Sequence, residues 1–367
     1  MKFWRILGIF GGFLILAGLL GFWFKREIFL NPLADKKDGI EYEGNLVSFG
    51  FLPTWMVGKT RTYGSEVSHL IFLGIESDEM GNLIWDTQSN KISNEDYLRQ
   101  KEKINEFGGK NILGIKLFDD EKLESLLNSE EARNNLIRQI KEVVEENDFD
   151  GVNLDFEFQN DQLAILEENF GLFVDELNLE NVGEISVDVF ANTVIKGDSQ
   201  RLEKLMSKID FLVVMAYDFH GAGSDYAGAV APIGSNIGER NITEVVEACL
   251  RGKLDKTKLV MAYPLYGYEW LTETKELGSK IKGSWYQMAS WNRVNELVVE
   301  KNIEVNWDEL SMSPWLVFED EGEIHQIYFE NERSLGIKLD LVKQNQLVGF
   351  GFWALGYEGD DQNIWSL

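Results

Sequence analysis

The 367-residue chain has one cysteine, Cys249, and three histidines, His69, His220 and His325. A single cysteine excludes an intrachain disulfide and any multi-cysteine metal site. The histidines stand far apart and none falls in a metal-ligand spacing, so neither a metal nor another cofactor is expected. Cys249 lies in Thr243-Glu-Val-Val-Glu-Ala-Cys-Leu250, a helical pattern in which a buried thiol is the expectation. Positive charge is also scarce, with 35 Lys and Arg against 62 Asp and Glu, a net charge of −27. So acidic a surface repels phosphate backbones, which argues against nucleic acid as a partner. It favours a neutral or cationic substrate, although a local cleft can differ from the whole surface. Low-complexity sequence is missing too, and 44% hydrophobic with 26% charged residues is ordinary for a folded protein. The length fits two small domains or one large one, and an α/β barrel takes about 250 residues or more.

One long apolar run is present. Residues 6–24 are uninterrupted by charge and flanked by Lys2 and Arg5 on one side and Lys25 and Arg26 on the other. Nineteen residues in a helix span roughly 28 Å, close to the hydrocarbon thickness of a bilayer. Trp4 and Trp23 fall where an interfacial aromatic belt would lie. No small-x-small cleavage site follows, and no lipobox cysteine is present, so an uncleaved transmembrane helix over 6–24 is expected rather than a removed signal peptide. Residues 1–24 would then be a membrane anchor and 25–41 a polar linker, with the folded body at 42–367.

In the body, short apolar runs alternate with helical patterns. Strands are expected at 45–52, 68–75, 111–117, 151–158, 184–190, 211–217, 258–263 and 347–353. Between them lie amphipathic helices such as 130–146, where Leu136, Ile137, Ile140, Val143 and Val144 recur at helical spacing behind Ser129 and two glutamates. Eight strands with intervening helices describe a (β/α)8 TIM barrel better than an open sheet. The stretch before the last strand is too long for one crossover. Residues 268–332 are expected to form a small α+β insertion between the seventh and eighth strands, with a hairpin turning at 320–322. It would stand as a wall over the top of the barrel, or merely pack upon it.

Chemistry concentrates on one strand, Asp150-Gly-Val-Asn-Leu-Asp-Phe-Glu157. With a period of two, Asn153, Asp155 and Glu157 share one face, while Val152, Leu154 and Phe156 share the other. The apolar face must meet the helices, so the polar groups point into the barrel. Barrel interiors are normally filled by Val, Ile and Leu, and replacing them with carboxylates has a desolvation cost that folding alone does not explain. Side chains two apart on a strand sit roughly 6–7 Å apart at Cα, close enough that two carboxylates do not readily both ionise. A proton kept on one of them near neutrality is what cleavage of a glycosidic bond requires.

The same eight residues resemble the signature of family 18 glycoside hydrolases, the chitinase-like family. Further stretches agree in order: Met215-Ala-Tyr-Asp-Phe-His-Gly221, Tyr263-Pro-Leu-Tyr-Gly-Tyr-Glu-Trp270 and Gly349-Phe-Gly-Phe-Trp-Ala-Leu-Gly-Tyr-Glu358 are similar to the ends of its sixth, seventh and eighth strands. The resemblance covers roughly residues 44–367. It implies a retaining, substrate-assisted hydrolysis of β-1,4-linked N-acetylglucosamine glycans, of peptidoglycan or chitin type. Glu157 would protonate the glycosidic oxygen. The substrate's 2-acetamido carbonyl would attack the anomeric carbon, with Asp155 holding the acetamido N–H and Tyr217 its oxygen. Asn153 completes the catalytic set, and Asp218, Trp353, Tyr266 and Asp150 are the expected substrate-binding residues.

Two departures from the family pattern stand out. Asn153 replaces an aspartate that many chitinases carry, which should ease ionisation of Asp155. The Ser-x-Gly-Gly motif of the third strand is replaced by Ile112-Leu-Gly-Ile-Lys-Leu-Phe118. Together with Trp307-Asp-Glu-Leu-Ser-Met-Ser-Pro-Trp315, this is more similar to the bacterial spore-cortex and cell-wall branch, without its LysM modules. The implied protein is a monomer at the cell membrane, single-pass, with its catalytic domain outside the cytoplasm and a polysaccharide as its partner. The alternative is a catalytically silent chitinase-like carbohydrate-binding protein, although such relatives lose the acid that Glu157 supplies here.

Overall fold

A computed structural model describes residues 46–85, 89–157, 163–236, 238–359 and 363–367. Eight parallel strands pair in chain order and close on themselves: Val47–Pro53, His69–Ser77, Lys110–Leu117, Gly151–Phe156, Glu184–Phe190, Phe211–Met215, Leu259–Pro264 and Gly349–Trp353. The first strand pairs with both the second and the eighth, which makes the sheet a barrel. Each strand lies within a few residues of its expected place. The fourth and sixth are two residues shorter at their C-terminal ends, where the chain reaches the barrel mouth. Asp218, beyond the sixth, takes a left-handed φ of 56° and turns the chain.

Alternation along the strands sorts the core into two layers. Outward residues such as Leu113, Ile115, Val152, Leu154, Phe156, Val187 and Val214 pack against the helices in one large cluster. Phe156, for instance, meets Phe170 and Phe173 of the helix Leu163–Asn178 with ring centroids 5.9 Å apart. Inside the barrel a smaller cluster joins Phe49, Phe51, Ile71, Leu73, Ile112, Val213, Val260 and Ala262. None of these comes from the fourth or fifth strand, which send polar groups inward instead. The helix Glu130–Glu146 forms as its spacing predicts, with Ser129 Oγ accepting from the Ala132 N–H at 3.2 Å. Cys249 is buried on the helix Ile242–Arg251.

Directly after the seventh strand the chain enters a second sheet of five antiparallel strands, in the order Ile281–Ser290, Tyr266–Thr272, Glu323–Tyr328, Ser313–Asp320 and Asn306–Asp308. The helix Trp291–Glu300 accompanies it. The hairpin turns at Glu321 and Gly322, whose φ values of 50° and 85° are the left-handed pair that a two-residue turn of type I′ needs. The insertion returns to the barrel through Glu330, whose carboxylate is buried against Lys338 Nζ at 2.7 Å and receives Ser334 Oγ at 2.6 Å.

One part of the expected architecture is corrected. The transmembrane helix over 6–24 lies outside the described residues, and among the described residues no helix is long and apolar enough to cross a membrane. The fold is therefore stated as the barrel with its insertion. A membrane partner and a single-pass location at the cell membrane are not retained.

Replacing Lys338 with Met would leave Glu330 buried without its counter-charge. We expect a loss of about 3–5 kcal/mol, read by urea unfolding, and a smaller loss when Glu330 is also replaced by Leu.

Candidate active site

The parallel register sets inward residues of neighbouring strands side by side. Gly114 of the third strand lies opposite Asn153 of the fourth, and Asn153 opposite Ser186 of the fifth. One layer nearer the mouth, Lys116 lies opposite Asp155. The fourth–fifth register ends with Leu154 paired to Val187, and Asp155 and Asp188 are the next residues on the two strands. A polar layer thus runs Lys116, Asp155, Asp188 above a layer of Gly114, Asn153, Ser186. Asn153 Nδ2 donates to Ser186 Oγ at 3.0 Å and to Asp188 Oδ1 at 2.8 Å, knitting the layers together. Asn153, Asp155 and Asp188 are all buried.

Glu157 is the first residue beyond the fourth strand. Its N–H still donates to the Leu117 carbonyl at 3.1 Å, so the backbone is held while the half-buried side chain reaches the mouth. A cavity of about 300 Å³ opens there, with Asp155, Glu157, Asp188, Tyr217, Asp218 and Trp353 in its wall, together with Lys116 and Trp55. Trp353, at the end of the eighth strand, is wedged edge-on against Phe51 and Trp55, at centroid distances of 6.1 and 6.2 Å. Trp55 is tied down by its Nε1–H to the Tyr357 hydroxyl at 3.2 Å. Tyr266, the first residue of the insertion sheet, donates its hydroxyl to Asp218 Oδ1 at 2.6 Å and meets Tyr217 edge-on at 6.4 Å. The insertion is thereby coupled to the cavity wall.

The structure therefore brings together Glu157, Asp155, Tyr217, Asp218 and Trp353 at one cavity, with Tyr266 behind Asp218 and Asn153 one layer beneath. It does not bring Asp150 there. Asp150 precedes the fourth strand at the opposite end of the barrel, exposed, where its carboxylate accepts the Asn111 N–H at 2.8 Å. It fastens the starts of two strands. Sequence reasoning missed Asp188 and gave Lys116 no role. Both had a signal: Ser186 and Asp188 alternate with Ile185, Val187 and Val189 just as the signature strand does, and Lys116 shares the inward face of Ile112 and Gly114.

Crowding acids in this enclosure raises their proton affinity. Glu157 is pushed up to about 7, by burial first and then by Asp218, with Lys116 opposing. Asp155 is held well above the usual carboxylate range by burial, then by Asp188 and Glu157, again against Lys116. Asp188 is pushed up to about 8 by burial, which the Asn153 hydrogen bond partly offsets. Asp155 is thus held high with an amide at position 153, because the Asp188 carboxyl stands beside it. Asp218 is raised by burial and lowered by the Tyr266 hydroxyl; it opens to solvent, so the effect there is weaker. Tyr217 stays protonated, since burial and then Asp155 penalise its phenolate.

A closed parallel barrel whose carboxylates gather at the strand C-terminal ends defines a barrel protein with the layout of an enzyme. The model of glycosyl hydrolases family 18 matches residues 49–358, and the chain belongs to that family. Among curated proteins it is similar to the cortical fragment-lytic enzyme of Bacillus subtilis, with 26% identity over 65% of this chain and 54% of the relative. The chain thus spans about half the length of that relative. Among solved structures, the spore cortex-lytic enzyme SleL of Bacillus cereus superposes with a TM-score of 0.70 at 20% identity, over 88% of this chain and 73% of the other. A family 18 chitinase of Cycas revoluta bound to allosamidin gives 0.74 at 18% identity, over 87% and 98%. These superpositions concern the fold.

Two measurements follow. Lys116→Met removes the cation that favours ionised Glu157, so the carboxyl ¹³C titration of Glu157 should move upward from about 7. The second concerns stability. Acids whose folded-state pKa is raised keep protons that the unfolded chain has released, so their contribution to stability is lost as pH rises through about 7 and 8. Asp188→Asn removes one such group. Its urea midpoint relative to the parent should therefore be more favourable at about pH 8 than at about pH 5.

Proposed function

We propose that this chain hydrolyses β-1,4-linked glycans containing N-acetylglucosamine, with retention of configuration and without an enzyme nucleophile, and that residues 42–367 are the catalytic body. The observation that carries the reading is the pairing of Glu157 at the mouth, with a pKa near neutrality, and enclosed Asp155 on the same strand face, both in the wall of one cavity with Tyr217 and Trp353.

Glu157 donates its proton to the glycosidic oxygen as the bond to the anomeric carbon breaks. The 2-acetamido carbonyl oxygen of the same sugar attacks that carbon from the opposite face and gives a cyclic oxazolinium. Asp155 accepts the acetamido N–H and its negative charge stabilises the cation, while the Tyr217 hydroxyl donates to the acetamido oxygen. Water, losing a proton to the now ionised Glu157, then opens the ring and restores the original anomer. Trp353 offers the flat apolar surface against which the sugar stacks, and Asp218, oriented by Tyr266, binds the distorted ring. An acid with a pKa near 7 is protonated through the mildly acidic range and regains basicity when ionised, as one group serving both steps requires.

Between chitin and peptidoglycan, similarity to the cortical fragment-lytic enzyme of Bacillus subtilis favours the wall polymer. Lys116 in the cavity wall gives the otherwise acidic protein a local cation compatible with that choice.

The full chain and its Glu157→Gln variant should be assayed on N-acetylglucosamine oligomers and on purified peptidoglycan. The parent should release new reducing ends of β configuration by NMR, and the variant should be slower by about 100-fold or more. De-N-acetylated oligomers should resist cleavage. A parent inert on both polymers would sink the proposal, as would a Gln variant of undiminished rate.

A further inference from the structure

The buried carboxylate of Asp188 is not used by the chemistry above, yet it faces the centre of the site. Asn153 spends both of its amide hydrogens on the fifth strand, one on Ser186 Oγ at 3.0 Å and one on Asp188 Oδ1 at 2.8 Å. Its own carbonyl oxygen, Oδ1, and Asp155 Oδ1 are both buried without a hydrogen-bond donor among the described residues. Two enclosed acceptors on one strand face, with no donor, are costly unless a proton is present between the groups of the layer. Asp188 stands in that layer: it and Asp155 each follow the last residues paired between their strands, Val187 and Leu154, and both line the same cavity.

We propose that Asp188 is a positioning residue of this active site, which supplies from the fifth strand the second carboxylate that Asn153 withholds from the fourth, and so governs the proton and the orientation of Asp155. The inference rests on the hydrolase reading for its catalytic consequence, but not for its physical content. Asp188 fixes the Asn153 amide by accepting from it. With Asp155 it shares an enclosure in which both carboxyls do not ionise together. A proton resting on Asp155 then has a neighbouring acceptor, Asp188, to which it transfers when Asp155 must become anionic beside a developing cation. No atom is gained or lost in that exchange: the O–H bond at Asp155 breaks and one at Asp188 forms.

Other charges face the same group. Glu157, Lys116, Tyr217 and Asp218 share the cavity with Asp188, and Glu168, Arg201, Lys204 and Lys208 line an adjoining cavity that Asp188 also borders. A simple change in activity is therefore insufficient, and the test follows Asp155 itself. Aspartate ¹³C-carboxyl NMR on the full chain, with the Asp155 signal assigned through Asp155→Asn, should show Asp155 titrating at lower pH in Asp188→Asn than in the parent. The kcat of that variant on N-acetylglucosamine oligomers should fall by about 100-fold with little change in KM, as for a misplaced catalytic group. Exchanging the two residues, Asn153→Asp with Asp188→Asn, should return both the Asp155 titration and most of the rate.

An Asp155 titration indifferent to Asp188→Asn would overturn the proposal. So would an exchange variant that folds but is no better than Asp188→Asn alone. Should Asp188→Asn fail to fold, the exchange variant decides, because it keeps one amide and one carboxylate in the pair. The titration is read without substrate, so a parent that hydrolyses nothing faults the hydrolase reading and leaves the carboxylate pair to be judged by NMR.

Discussion

Enclosing carboxylates inside a barrel is the constraint on which this site depends. A (β/α)8 barrel is stable because its inward side chains fill the centre, and most strands here follow that rule near the axis, although His69 of the second strand and Lys116 of the third also face inward. The fourth and fifth break it together, with Asn153 and Asp155 on one and Ser186 and Asp188 on the other. Bare ionised acids there would forfeit hydration that the interior does not replace. The chain meets the cost by hydrogen bonds from Asn153, by Lys116 opposite Asp155, and by keeping protons on its acids. At the mouth, burial and then Asp218 likewise raise the proton affinity of Glu157, to a pKa of about 7.

The surroundings hold this layer in place. Outward faces of the same strands are purely apolar and packed by helices, so neither strand can slip by one residue without exposing carboxylates to the outer core. At the mouth, the aromatic contacts of Trp353 with Phe51 and Trp55 and the Tyr266–Asp218 hydrogen bond brace the cavity wall, joined through Tyr357, which meets Tyr266 edge-on and accepts from Trp55. The second of these belongs to the insertion. Its sheet starts two residues after the seventh barrel strand, and its first tyrosine already touches the site. This sheet is therefore part of the cavity's support rather than an ornament on the barrel.

Much of this was legible in the sequence, for physical reasons that can be traced residue by residue. Strands of a barrel buried on both faces read as apolar runs, so all eight were placed within a few residues, and the Asp-Glu-Gly turn marked the hairpin. Glu157 and Asp155 stood out because polar side chains alternate with apolar ones on their strand, and Tyr217 and Trp353 through the family resemblance; the structure sets all four in the wall of one cavity. Asp150 was misplaced for a different reason. A motif of eight residues reads as one unit, yet seven steps of about 3.3 Å carry the chain from one end of the barrel to the other. Asp188 escaped because its strand, Glu184-Ile-Ser-Val-Asp-Val-Phe190, belongs to none of the stretches that resemble the family, although its alternation is the same as that of the signature strand. Asn153 was read as a lost charge. The pairing of two strands distant in sequence is what sets the Asp188 carboxyl beside it. The N-terminal apolar run stayed a sequence pattern, since residues 1–45 are outside those described.

The central claim is that the enclosed carboxyls of this site hold protons where exposed ones would not. Neutron diffraction from deuterated crystals grown at about pH 6 would locate those protons directly. The account predicts a deuteron on Glu157 and at least one on the Asp155–Asp188 pair. Nuclear density with all three carboxylates bare would contradict it.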